Sequence, residues 1–154
     1  MKRKLLWIPV ALLSIGCGEV AYLSMKQPDM APPLDIKVDM SPERVARGRY
    51  LVNHVSICSD CHSDVDETKF GSPVKPGGLL KCRPFPKEMG LPGEFWSTNL
   101  TSHPTGNGRM TDGQLIRAVR ECICHDGRVL FPFMPYLEYA ALGDDDVQSI
   151  VAYL

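Results

Sequence analysis

The sequence has no excess of basic charge: 17 Lys and Arg stand against 18 Asp and Glu, a net of −1. Lys2, Arg3 and Lys4 fall in a segment expected to be removed, which leaves 14 basic against 18 acidic residues, or −4. That balance gives no reason to expect nucleic-acid binding. No internal repeat is visible and no segment carries a strand signal. An apolar run of the roughly 20 residues that a membrane helix needs is also lacking, because Glu19 interrupts the N-terminal one. What remains is a chain of 154 residues, 44% hydrophobic, the size and composition of one packed domain.

The N-terminus reads Met1-Lys2-Arg3-Lys4 and then 12 uncharged, mostly apolar residues to Gly16. A cationic start followed by a short apolar stretch is signal-peptide anatomy, so residues 1–17 are read as an export signal. Cys17 follows Gly16 directly, and Leu13-Ser14-Ile15-Gly16-Cys17 resembles a bacterial lipoprotein cleavage site with its leucine one place early. The expectation is lipidation at Cys17 and a place on the periplasmic side of a bacterial membrane. Plain secretion into the periplasm or beyond, and an uncleaved anchor running to about Leu23, are the alternatives. Residues 18–40 are polar and carry Pro28, Pro32 and Pro33, which reads as a flexible tether with a reach of roughly 25 Å. The folded domain is expected over residues 41–154.

Within it, Ser41-Pro42-Glu43 is a helix start with a serine cap, an early proline and an early acid. That helix should run to about Asn53 with Val45, Gly48, Leu51 and Val52 inward. Residues 68–108 are rich in Gly and Pro and without period, a long ordered loop that needs something large to surround. Thr111-Asp112-Gly113-Gln114 has the capping-box pattern, with Leu115, Ile116, Val119 and Ile123 on the buried face. Asp144-Asp145-Asp146 opens a last helix whose Val147, Ile150, Val151 and Leu154 fall at helical spacing.

Cys58-Ser59-Asp60-Cys61-His62 is the C-x-x-C-H pattern of covalent c-type haem attachment. Two thiols three positions apart on a helical turn can each form a thioether to one vinyl group, and the adjacent histidine faces the iron. Rival readings are a thiol redox pair, which would follow a strand that is not seen here, a chance disulfide, and zinc held by Cys58, Cys61, Cys122 and either Cys124 or His125.

Around this motif the sequence resembles the monohaem cytochrome c domains, class I-like, of membrane-associated dehydrogenase cytochrome subunits. Matching stretches are Arg47 to Val52, Cys58 to His62, Asn99-Leu100-Thr101, Gly106 to Asp112, Asp126-Gly127-Arg128, Met134-Pro135-Tyr136, and Asp144 through Leu154. The resemblance implies an all-α, small cytochrome c fold with the long loop wrapped around one covalent haem c. It places the second axial ligand at Met134, and Pro132 and Pro135 would stiffen the backbone there. Met110, Met89, His103 and His125 are the competing ligands, and a core role for Met134 is the plain alternative. Trp96, Asn99 and Arg109 are candidates to bond or pair with haem propionates, against ordinary loop or surface roles. A carbonyl of Pro73 or Pro76 is expected to orient the second nitrogen of His62. His54 and His103 are read as solvent-exposed.

Glu121-Cys122-Ile123-Cys124-His125 departs from the family and looks like a haem motif one residue short. An odd three cysteines are left, and a disulfide from Cys82 to Cys122 or Cys124 is the expectation. The function implied is electron transfer, not catalysis, between a dehydrogenase donor and an oxidase or cytochrome acceptor. A haem sensor or enzyme with an open distal site is one alternative. A zinc- or disulfide-stabilised interaction module is the other.

Overall fold

The computed structural model describes residues 2–26 and 30–154, the first six of these by backbone alone. Pro28 of the expected tether lies outside the described residues. Two units form, residues 1–31 and 32–154. The first is a single helix, α1 (Lys2–Met25), in which Cys17 is exposed. Its stretch Ile8–Met25, of mean hydropathy 1.6, is long and apolar enough to cross a membrane, a test that a signal sequence also passes.

The second unit is mostly helical, with α2 (Pro42–Tyr50), α3 (Cys58–His62), α4 (Asp112–Glu121), α5 (Tyr136–Ala140) and α6 (Asp144–Tyr153). It is compatible with the all-α cytochrome expectation. The chain joins this unit before Ser41. Val38, read from composition as tether, is 3% exposed against Leu115, Ile116, Val147 and Val151, and its amide donates to Asp112 Oδ2 at 2.7 Å.

α2 crosses α6 closely because Gly48 has no side chain there; a Cβ would overlap the Ser149 carbonyl. Leu51, Val52 and Ile150, each at most 2% exposed, pack with Leu80 behind that crossing. Burying such a side chain stabilises by about 1.5–3 kcal/mol. Outside the core, Arg47 Nε pairs with Asp146 Oδ1 at 2.9 Å, across the same two helices. Asp144, Asp145 and Asp146 occupy the first turn of α6, where the helix dipole favours negative charge. At α4 the capping box forms in both directions, Gln114 N to Thr111 Oγ1 at 3.3 Å and Thr111 N to Gln114 Oε1 at 2.9 Å. Ser41, in contrast, makes no side-chain cap bond.

Two local departures shape the site. The expected helix to Asn53 stops being α-helical at Tyr50 and widens into a π-turn over Leu51–Val55. Ile57 then takes the left-handed conformation at φ 47°, and α3 begins at Cys58. Such wide turns and positive φ at a non-glycine residue concentrate at functional sites, and the latter costs on the order of 1–3 kcal/mol. The long loop also carries order: β1 (Pro84–Phe85) pairs antiparallel with β2 (Phe95–Trp96). These two-residue strands are too short for alternation to announce them.

Candidate functional site

The C-x-x-C-H turn faces a cavity of about 630 Å³, within the usual range for a small-molecule or cofactor site. Cys58, Cys61, His62 and Met134 all line it, although Met134 lies far along the chain. Ile57 positions this turn: the amides of Asp60 and Cys61 donate to its carbonyl at 3.1 and 3.4 Å. Met134 sits between Pro132 and Pro135, with its own carbonyl accepting from Tyr136 N at 2.8 Å. Two aromatic pairs hold the preceding segment to the hairpin of β1 and β2. Phe85 meets Phe133 edge-on at 5.0 Å, and Phe95 stacks on Phe131 at 4.3 Å.

His62 Nδ1 lies 2.8 Å from the carbonyl oxygen of Thr98. A carbonyl can only accept, so Nδ1 carries the proton and Nε2 keeps its lone pair for a metal. The carbonyl belongs to Thr98, which corrects the expectation of Pro73 or Pro76. Burial holds the His62 pKa below the ordinary histidine value, and the Thr98 bond opposes this. The imidazole is therefore neutral at pH 7, the form that ligates iron. Burial also pushes the Cys58 thiol up to about 11 and raises that of Cys61, so both are protonated thiols at pH 7.

The remaining candidates divide. Asn99 lines the cavity but is engaged within its own loop, Oδ1 accepting from Thr101 N at 2.9 Å and Thr101 Oγ1 at 2.7 Å. Trp96 stands on the rim, 62% exposed. Arg109 is exposed and is not among the lining residues, whereas Arg128, which the sequence placed only in a matching stretch and not among the propionate candidates, is. Of the competing axial ligands, Met110 and His125 line the cavity and Met89 and His103 do not. The six cysteines are free thiols, so the disulfide expected from Cys82 to Cys122 or Cys124 is not formed. Cys122 is instead buried, its Sγ directed at the Leu130 carbonyl at 3.8 Å.

A c-type haem fits this donor set on three observations. Both thiols of the motif reach one apolar-walled cavity, the free Nε2 belongs to a histidine whose other nitrogen is fixed, and a thioether borders the same space.

No family model matches the chain. It is 37% identical over 115 residues to a subunit of the nicotinate dehydrogenase of Pseudomonas putida, covering 74% of this chain and 9% of that protein. It is 36% identical over 110 residues to the gluconate 2-dehydrogenase cytochrome c subunit of Pantoea cypripedii, covering 71% of this chain and 22% of that one. With the fructose dehydrogenase cytochrome subunit of Gluconobacter japonicus it shares 35% over 111 residues, 71% of this chain and 20% of the relative. The chain thus spans less than a quarter of the length of these curated relatives. Over about three quarters of its own length it carries a cytochrome c domain that resembles those of dehydrogenase cytochrome subunits.

Proposed function

We propose that this chain is an electron carrier holding one covalent haem c, serving a dehydrogenase on the periplasmic side of a bacterial membrane. The observation that carries the reading is the single cavity onto which Cys58, Cys61, His62 and Met134 all open. When bound, haem c supplies a reversible one-electron change at its iron. Cys58 and Cys61 would hold it through thioethers, and His62 Nε2 and Met134 Sδ would hold its iron. The Thr98 carbonyl keeps the His62 ring in the required tautomer. The aromatic clip of Phe85, Phe95, Phe131 and Phe133 steadies the Met134 segment, and a weak thioether ligand needs a steady backbone. If His62 and Met134 both hold the iron, no substrate need meet the metal, and that would favour a carrier over an enzyme or sensor.

The dehydrogenases in the relatives' names support a dehydrogenase as donor, with an oxidase or another cytochrome as acceptor. The long loop 68–108, whose hairpin borders the cavity, would wrap the cofactor. Cleavage and lipidation at Cys17 would leave the carrier tethered to the membrane surface. Labelling with a fatty acid analogue would then be lost in Cys17→Ser.

The deciding experiment is a visible spectrum in both redox states, with haem staining of a denaturing gel, on protein from a host with c-type maturation. Covalent stain and a Met-to-iron charge-transfer band in the oxidised state are expected. Colourless protein, or zinc in place of haem, would overturn the reading.

A further inference from the structure

Cys124 and His125 play no part in the attachment motif, and they lie on a tight hairpin that begins where α4 ends. Cys122 closes that helix in the left-handed region at φ 59°. Ile123 then forms an antiparallel bridge with Val129, Cys124 N donates to Arg128 O at 2.8 Å, and Gly127 N donates back to Cys124 O at 3.0 Å. Gly127 takes φ 83° at the turn, a conformation that glycine adopts without strain. Consecutive side chains usually diverge, but here three converge. Cys124 Sγ, a ring nitrogen of His125 and a carboxylate oxygen of Asp126 all lie within 4.8 Å of one another.

Thiolate, imidazole and carboxylate together are the donor set of a borderline divalent ion, whereas magnesium or calcium would take oxygen alone. Zinc binds sulfur at about 2.3 Å and nitrogen or oxygen at about 2.0–2.2 Å, which puts tetrahedral donors about 3.3–3.7 Å apart. The donors need to close by about 1.5 Å at most to reach that spacing. His125 and Asp126 are exposed and Cys124 is half-buried, so small rotations of the side chains can supply it. Asp126 Oδ1 accepts from Arg128 N at 2.9 Å, which leaves Oδ2 for an ion. The present partner of Oδ2, Arg128 Nε at 3.8 Å, is an exposed and therefore weak competitor.

We propose that Cys124, His125 and Asp126 form a binding site for one divalent cation of the zinc type, with solvent in the fourth position. On binding, the Cys124 thiol gives its proton to water and its sulfur forms the bond to the metal, with no change of oxidation state. The same hairpin supplies Cys124, His125 and Arg128 to the wall of the large cavity, so the ion would pin that wall. The site uses none of Cys58, Cys61, His62 and Met134, and it requires only that His125 is not the second ligand of the haem iron.

The test is a calorimetric titration of the full chain, matured as above and kept reduced, with zinc chloride, followed by zinc X-ray absorption on the one-to-one sample. One saturable site is expected, with one sulfur neighbour at about 2.3 Å and nitrogen or oxygen for the rest. Cys124→Ser and the near-isosteric Asp126→Asn should each weaken binding by about tenfold or more, since even outer partners of metal ligands are worth that much. His54→Gln should leave it unchanged. Absence of a saturable site, unchanged affinity in Cys124→Ser, or a spectrum with two sulfur neighbours would overturn the proposal. So would a non-reduced peptide map that finds Cys124 joined to Cys82. Loss of haem colour alone would sink the proposed function, and the zinc titration would still decide this site.

Discussion

The phenol of Tyr139 donates a hydrogen bond to the backbone carbonyl of Ser56, tying α5 to the residue two places before the attachment motif. Both residues are buried, at 9% and 4% exposure. The bond thus links the helix that follows Met134 to the segment just before the helix that begins at Cys58. Tyr139→Phe keeps the ring and orphans the carbonyl, which should lower stability by about 1–3 kcal/mol. Denaturant unfolding of wild type and variant checks it, and coincident midpoints would show that the bond contributes nothing.

The same phenol gives the protein an alkaline limit. Burial raises the Tyr139 pKa above the ordinary tyrosine value, with the neighbouring Cys58 and Cys61 as smaller causes. The folded state therefore keeps a proton that the unfolded chain gives up from about pH 10. This contribution is whole below about pH 10 and is lost as pH rises toward the folded-state value. Unfolding midpoints measured from about pH 8 to pH 11 should fall more steeply for wild type than for Tyr139→Phe. Parallel curves would remove Tyr139 from the explanation.

The crossing of α2 and α6 rests on a missing side chain. A Cβ at Gly48 would overlap the Ser149 carbonyl and press on the Tyr153 side chain. Gly48→Ala would normally favour a helix, but here overpacking should outweigh propensity and cost about 1–3 kcal/mol. Thermal melting distinguishes the two effects, because a melting temperature at or above wild type would mean that the helices part without penalty.

These predictions divide according to what local sequence can signal. α4 and α6 are legible because their start signals lie within one helical turn: Thr111 with Gln114, and three successive aspartates. The inward positions Gly48, Leu51 and Val52 follow from helical spacing, even though the helix widens into a π-turn after Tyr50. The Thr98 carbonyl beside His62 is a backbone atom, and no side-chain pattern marks which residue will offer it. The clip of Phe85 on Phe133 and Phe95 on Phe131 joins positions far apart in the chain, so it exists only once the loop has closed. Val38 alternates with Leu34, Ile36 and Met40 between polar residues, and only the fit against α4 and α6 decides that Val38 is buried while Leu34 and Met40 stay exposed.

The axial ligand provides the sharpest test of the proposed function, because Met134 shares the cavity with Met110 and His125. Substituting Met134→His should preserve covalent haem staining, since Cys58 and Cys61 are untouched. It should abolish the Met-to-iron charge-transfer band and lower the redox midpoint, because a thioether ligand holds the potential higher than a second imidazole does. Met110→Leu should leave both unchanged. If the band instead survives Met134→His and disappears in Met110→Leu, the ligand is Met110, and the segment of Pro132 and Pro135 serves packing alone. If wild type itself lacks the band, neither methionine holds the iron, the remaining candidate in the cavity is His125, and a sensor or enzyme becomes the better reading.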